Sequence, residues 1–188
     1  MGTYWNTPAC HRATVAVDTP RPFIDPVPHF QNVYASSAAG ELLEYTRLPD
    51  GSWVAVDLTV LSGGQRIALS PRPVVEPVTA NQAVYAETPA DHSIEFIRLP
   101  SGAWTDRDLF PNGGQPQVNG SPVPFTDGAT PTLFVRSSRA IVEFSRKPDG
   151  NWTWAFLPGP PIGGDPAPFV DPVTHLLNVY YSNSVGAL

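Results

Sequence analysis

The sequence predicts an all-β protein, specifically a four-bladed β-propeller closed by pairing of its N- and C-terminal strands. Three observations predict it. The 188 residues include 23 Pro and 15 Gly, and a proline inside a helix costs roughly 3 kcal/mol, so few windows are long enough for helices. The chain repeats itself with a period of about 50 residues, in the range of repeat architectures. Each repeat consists of short β-branched and aromatic runs separated by turn residues. Disorder is excluded by 5 Trp, 6 Tyr and 9 Phe, too many aromatics for a solvated chain.

Each unit opens on Pro22-Phe23-Ile24-Asp25-Pro26 or its counterparts Pro73–Pro77, Pro124–Gly128 and Pro168–Pro172. A strand-like run follows, Val33-Tyr34, Val84-Tyr85, Phe134-Val135 and Val179-Tyr180. This run is expected to be the innermost strand. A second strand carries Leu43-Glu44-Tyr45, Ile94-Glu95-Phe96 and Val142-Glu143-Phe144. It ends on an arginine before Pro49-Asp50-Gly51, Pro100-Ser101-Gly102 or Pro148-Asp149-Gly150. In these turns Pro presets φ and Gly supplies positive φ. A third strand starts at Trp53, Trp104 or Trp152, and Gly-Gly pairs at 63–64, 113–114 and 163–164 close the units. The units run over about 20–69, 70–120, 121–164, and 165–188 together with 1–19. Trp5 supplies the fourth unit's tryptophan, so the single domain is expected to close across its termini, as radial repetition of small sheets requires.

Composition removes several function classes. The net charge is −6 and Lys147 is the lone lysine, so no phosphate-tracking surface for nucleic acid is expected. One cysteine, Cys10, allows neither an intrachain disulfide nor a multi-cysteine zinc site. Met1–Trp5 has neither the basic nor the apolar region of a signal peptide, and no apolar run reaches membrane-spanning length. A soluble protein is expected, cytoplasmic or released without a classical signal, either monomer or homo-oligomer. No nucleophile elbow, phosphate loop, zinc-protease motif or dinucleotide fingerprint occurs.

Three repeated sets of side chains remain. Glu44, Glu95 and Glu143 lie mid-strand between apolar neighbours. They are either paired inside the fold or turned to a ligand whose hydroxyls they accept, because unpaired burial of a carboxylate is costly. Trp53, Trp104 and Trp152 are either wedges between units or platforms for the apolar face of a sugar. Asp25, Glu76, Asp127 and Asp171 either cap turns or ring one mouth of a channel, where their oxygens suit Ca²⁺ or Na⁺. No cofactor is required. His29 and His175 break the repeat at equivalent positions. In a closed ring they adjoin, which would make an acid–base or metal pair and defines an alternative reading as an enzyme. A protein-binding scaffold is the third reading.

The succession Val-Tyr, apolar-Glu and Asp-Gly-x-Trp resembles the blade repeat of the fucose-binding propeller lectins of fungi and plant-pathogenic bacteria. The resemblance implies a binding module for carbohydrate or another small polar ligand. It also implies sites between blades, with Glu44, Glu95 and Glu143 and Trp53, Trp104 and Trp152 in the ligand-facing places. The family's arginine, just before Val-Tyr, does not carry over: Asn32, Ala83, Leu133 and Asn178 stand there. The count of four units is similar to hemopexin-type propellers, whose axial channel holds ions.

Overall fold

A computed structural model describes residues 17–25, 29–76, 80–111, 113–126, 131–138 and 140–183. The described residues are all-β apart from one short helix. Sheet I contains β1 (Arg21–Ile24), β2 (Gln31–Ser36), β3 (Leu42–Arg47) and β4 (Trp53–Asp57), and is followed by α1 (Leu58–Ser62). Sheet II contains β5 (Arg72–Val75), β6 (Gln82–Glu87), β7 (Ser93–Arg98) and β8 (Trp104–Asp108). Sheet III contains β9 (Val123–Thr126), β10 (Pro131–Arg136), β11 (Ile141–Arg146) and β12 (Trp152–Phe156). Among the described residues sheet IV has two strands, β13 (Ala167–Val170) and β14 (Leu177–Tyr180). All pairings are antiparallel between sequence neighbours.

Each complete unit therefore has four strands, one more than the sequence suggests. The added strand is the Pro-rich segment that opens the unit. Pro22 lies inside β1 opposite Val33, which is tolerated because β1 is the edge of its sheet and needs no second ladder bond. Contacts between sheets also correct the innermost strand. β1 adjoins β5, β5 adjoins β9 and β9 adjoins β13, so the Pro-Phe strand lines the inside of the row, not the Val-Tyr strand. Among the described residues the sheets remain separate and no sheet closes on itself. The expected closing strand around Trp5 lies outside the described residues.

The turns follow the sequence closely. Gly51, Gly102 and Gly150 have φ of 86°, 86° and 84°. Each donates its amide to the residue three back, Leu48, Leu99 or Lys147. A Cβ at these glycines would touch nothing within 4 Å, so the left-handed backbone, not space, selects glycine. Asp57 caps α1, its Oδ1 accepting from the Val60 amide at 3.1 Å.

Apolar cores lie between successive sheets. One joins Tyr34, Leu42 and Leu58 to Val84, Ile94, Phe96 and Trp104. The other joins Ala83 and Tyr85 to Leu133, Val142, Phe144 and Trp152. Strand alternation sends Val84 and Ala86 toward sheet I and Ala83 and Tyr85 toward sheet III. That is why all six residues of β6 are buried. The repeated tryptophans divide accordingly: Trp104 and Trp152 are 8% and 7% exposed, whereas Trp53 is 49% exposed. Trp104→Ala and Trp152→Ala should each cost about 3–5 kcal/mol. In dilute, monomeric protein Trp53→Ala should stay within about 0.5 kcal/mol. Urea unfolding measures all three, and an equally large loss for Trp53→Ala would show that its face is covered.

Candidate functional site

The repeated glutamates sit in polar seams between the sheets. Register places Glu44 opposite Tyr34. The Tyr34 hydroxyl donates to Glu44 Oε1 at 2.6 Å, and Asn32 Nδ2 donates to the same oxygen at 3.2 Å. From sheet II, the Gln82 amide donates to the Tyr34 hydroxyl. Arg98, the last residue of β7, reaches back to Asp25 with Nη1–Oδ2 at 2.6 Å. The second seam repeats this plan. Tyr85 donates to Glu95 Oε1 at 2.8 Å and Arg107 Nε donates to Oε2. Arg146, the last residue of β11, pairs with Glu76 and lies 3.9 Å from Glu95. Trp152 meets the Tyr85 ring edge-on, with centroids 6.0 Å apart.

Burial dominates the electrostatics of both seams. It raises the Glu44 carboxyl above the usual carboxylate range, against the Tyr34 hydrogen bond and the Arg98 charge. Glu95 is likewise raised by burial, against Arg107, Tyr85 and Arg146. The tyrosines are pushed well above their ordinary value, first by burial and then by the adjacent glutamate charge. Glu44 is 7% exposed and Glu95 is fully buried, so the protein's own donors hold the oxygens that a sugar would use. The third unit differs. Phe134 stands opposite Glu143 and has no hydroxyl to give it. Glu143 is half-buried and accepts from Ser145 Oγ at 3.1 Å.

That register also corrects the assignment of the place before Val-Tyr. Leu133 pairs with Pro124 just as Val33 pairs with Pro22. Thr132, not Leu133, is therefore the third unit's equivalent of Asn32. Two of the arginines that enter the seams, Arg98 and Arg146, come from the following sheet. Their signal was in the sequence, as the final residue of each Glu-bearing strand.

The described loop carboxylates have separate partners. Asp25 and Glu76 each face an arginine. Asp171 Oδ1 accepts from the Val173 and Thr174 amides at 2.8 and 3.1 Å, and Asp127 lies outside the described residues. Among the described residues no three His, Cys, Asp or Glu side chains gather as a metal set. His29 and His175 occupy the same turn position as Ala80, with φ of 56°, 57° and 54°. Their equivalence is thus a property of the loop backbone, and they follow the first strands of sheets I and IV. Cys10 and His11 lie outside the described residues.

An open cleft occurs among residues that carry no recognisable motif. A cavity of about 360 Å³ lies between the loop after α1 and the end of sheet II, lined by Gly64, Gln65, Arg66, Thr88, His92 and Asp108 among others. His92 Nδ1 stands 3.2 Å from Asp108 Oδ2. Asp108 Oδ1 accepts from the Phe110 amide at 2.8 Å and from Gln115 Nε2 at 3.0 Å. Arg66 Nη1 donates to the Ala39 carbonyl, which anchors one arm of the guanidinium at the cleft. Its volume is within the range of small-ligand sites. A second cavity of about 250 Å³ between sheets III and IV is lined by Ile141, Leu157, Leu177, Val179 and Tyr181 among others.

No family model and no curated protein matches the chain. Solved structures do. The chain has the fold of AofleA from Arthrobotrys oligospora. A triple arginine-to-alanine variant of that protein superposes with a TM-score of 0.63 at 16% identity, over 92% of this chain and 52% of that one. For AofleA without those substitutions the TM-score is 0.57, again at 16% identity, over 80% of this chain and 45% of that one. This chain thus spans about half the length of the AofleA chains.

One buried carboxyl makes the second seam sensitive to pH. Glu87 is 4% exposed and is pushed up to about 7 by burial, then by the Asp91 charge, with Arg136 pulling the other way. Its folded value exceeds its unfolded one, so the folded state holds the proton more tightly. The resulting stability is full below about pH 4.5 and is lost as pH rises through about 7, up to roughly 3 kcal/mol. Glu87→Gln should flatten that fall, measured by urea unfolding at about pH 5 and pH 8. Equal falls in both proteins would remove Glu87 from the account.

Proposed function

We propose that this chain is a single lectin-like β-propeller domain that binds a small carbohydrate or similarly hydroxyl-rich ligand. Two likenesses support the propeller reading: the fold shared with AofleA and the repeat's resemblance to fucose-binding propeller lectins. The inward edge strands, adjoining in series from β1 to β13, suit a row of blades around an axis. The observation that carries ligand binding is the cleft of Arg66, Thr88, His92 and Asp108. Sugars offer adjacent hydroxyls that donate to a carboxylate and accept from a guanidinium or imidazole. Asp108, Arg66 and His92 bring those three groups to one concave surface.

The repeated glutamates take different parts in this reading. Glu44 and Glu95 act as seam residues, since tyrosine, asparagine and arginine side chains hold their oxygens. Glu143, which faces Phe134 in place of a tyrosine, keeps acceptor capacity for a ligand. Trp104 and Trp152 serve as wedges, and Trp53 is the repeated tryptophan left accessible. No observation favours catalysis at His29 and His175.

A glycan array followed by calorimetric titration with the free monosaccharides it selects tests the proposal. Hydrogen bonds to a charged acceptor are worth about 1.5–3 kcal/mol, so Asp108→Asn should weaken binding about tenfold or more. Glu44→Gln should leave affinity unchanged in protein that remains folded. Binding that survives Asp108→Asn and Arg66→Ala but is lost in Glu143→Gln would move the site to the third unit. A folded protein that binds no saccharide would end the carbohydrate reading.

A further inference from the structure

Two adjacent inner strands open on arginine. Arg21 begins β1 opposite Tyr34, and Arg72 begins β5 opposite Tyr85. The equivalent places of β9 and β13 hold Val123 and Ala167. Because β1 adjoins β5, the two guanidinium groups come together, and Arg72 is held below the ordinary arginine range by burial and then by the Arg21 charge. Sheet III adds a third cation, Arg136, the last residue of β10. Arg72 Nη2 and Arg136 Nε lie 3.5 and 3.9 Å from the two carboxylate oxygens of Asp165, which precedes β13. Those separations are too long for strong bonds. Arg136 Nη2 is used by the Asn119 carbonyl. The Nε atoms of Arg21, Arg72 and Arg136 are all buried without a hydrogen bond. Each such orphan donor is costly, and three in one place call for an acceptor with several oxygens. Gly120 keeps the place open: a Cβ there would come within 2.7 Å of Asp165 Oδ1 and 3.0 Å of Arg136 Cβ. Glu87 borders it, feeling the charges of Arg136 and Asp165, and its Oε2 is also buried without a partner.

We infer that Arg21, Arg72 and Arg136 form a site for a tetrahedral oxyanion, sulfate or phosphate, free or carried by a sugar. Donors from three successive sheets suit a tetrahedral anion better than the planar carboxylate of Asp165, which reaches only two of them. Guanidinium donors to an anionic acceptor make the strong class of hydrogen bond, and their geometry matches phosphate. The negative charges nearby are Asp165, Asp18 beside Arg72, and Asp91 beside Glu87. Glu87 is pushed up to about 7, so below that pH it stands mostly as a neutral acid and does not repel the anion. Asp165 competes with the anion for Arg72 and Arg136, which limits affinity. The site shares no residue with the lining of the Arg66, His92 and Asp108 cleft, so it stands independently of the carbohydrate reading.

Calorimetric titration of the full chain with sodium sulfate at about pH 6, against sodium chloride of matched ionic strength, tests it. Sulfate should give a saturable isotherm and chloride none. R72Q should weaken sulfate binding at least about tenfold, equivalent to about 1.4 kcal/mol. D165N should tighten it severalfold by removing the competing carboxylate. R47Q removes the same charge from the exposed end of β3 and should leave binding unchanged. Circular dichroism verifies that each variant is folded, and D165N, at an exposed position, keeps the test decisive should R72Q unfold. Glucosamine N-sulfate separates the two sources of the anion. Tighter binding than inorganic sulfate, lost in R72Q, supports the site with the anion carried by a sugar, and equal or weaker binding supports it with the free ion. Three results would overturn the inference: no binding of either sulfate, equal losses in R72Q and R47Q, or a D165N protein that binds no more tightly than wild type.

Discussion

The fold depends on one contact made twice: an arginine at the end of a Glu-bearing strand reaches back to a carboxylate in the first loop of the preceding sheet. Arg98 holds Asp25 and Arg146 holds Glu76. Both carboxylates are 3% exposed, and a buried charge left without its partner costs several kcal/mol. The pairs therefore fix which sheet follows which and at what angle. Apolar packing supplies most of the area but is less selective, since hydrophobic contact is non-directional. The tyrosine and tryptophan beside each ion pair complete the seam by filling the space beneath it.

The same contact explains why the conspicuous glutamates make poor ligand sites. Glu44 and Glu95 lie next to the arginine pairs and receive tyrosine hydroxyls in a desolvated setting. A ligand would have to displace bonds that hold two sheets together. Openness is found at the seam's rim, where strand ends and the loop after α1 meet in the Arg66, His92 and Asp108 cleft. This division suits a repeat protein: interior positions carry assembly, and loops carry recognition.

Much of this was legible in the sequence. The repeat and the Pro-Asp-Gly turns follow from spacing and turn chemistry, whereas the sequence left Trp104 and Trp152 open between wedge and ligand platform and burial decides for the wedge. The fourth strand of each unit was hidden because Pro22 and its counterparts argue against a strand unless it is an edge. The partners of Arg98 and Arg146 were hidden because they lie 73 and 70 positions away in the chain, and a single sequence carries no pairing information at that distance. Leu133 was placed one residue off because Phe134-Val135 mimics Val33-Tyr34 in composition while the strand register differs. The His92–Asp108 contact was hidden for a related reason, since it forms only across the ends of β7 and β8.

The central claim is that cross-sheet ion pairs, not the packing alone, hold the sheets in register. A double-mutant cycle on Asp25 and Arg98, read by urea unfolding of Asp25→Asn, Arg98→Met and the double variant, tests it most directly. The account predicts a coupling energy of about 1–3 kcal/mol between the two positions. Effects that add to within about 0.3 kcal/mol would contradict it and return the register of the sheets to hydrophobic packing.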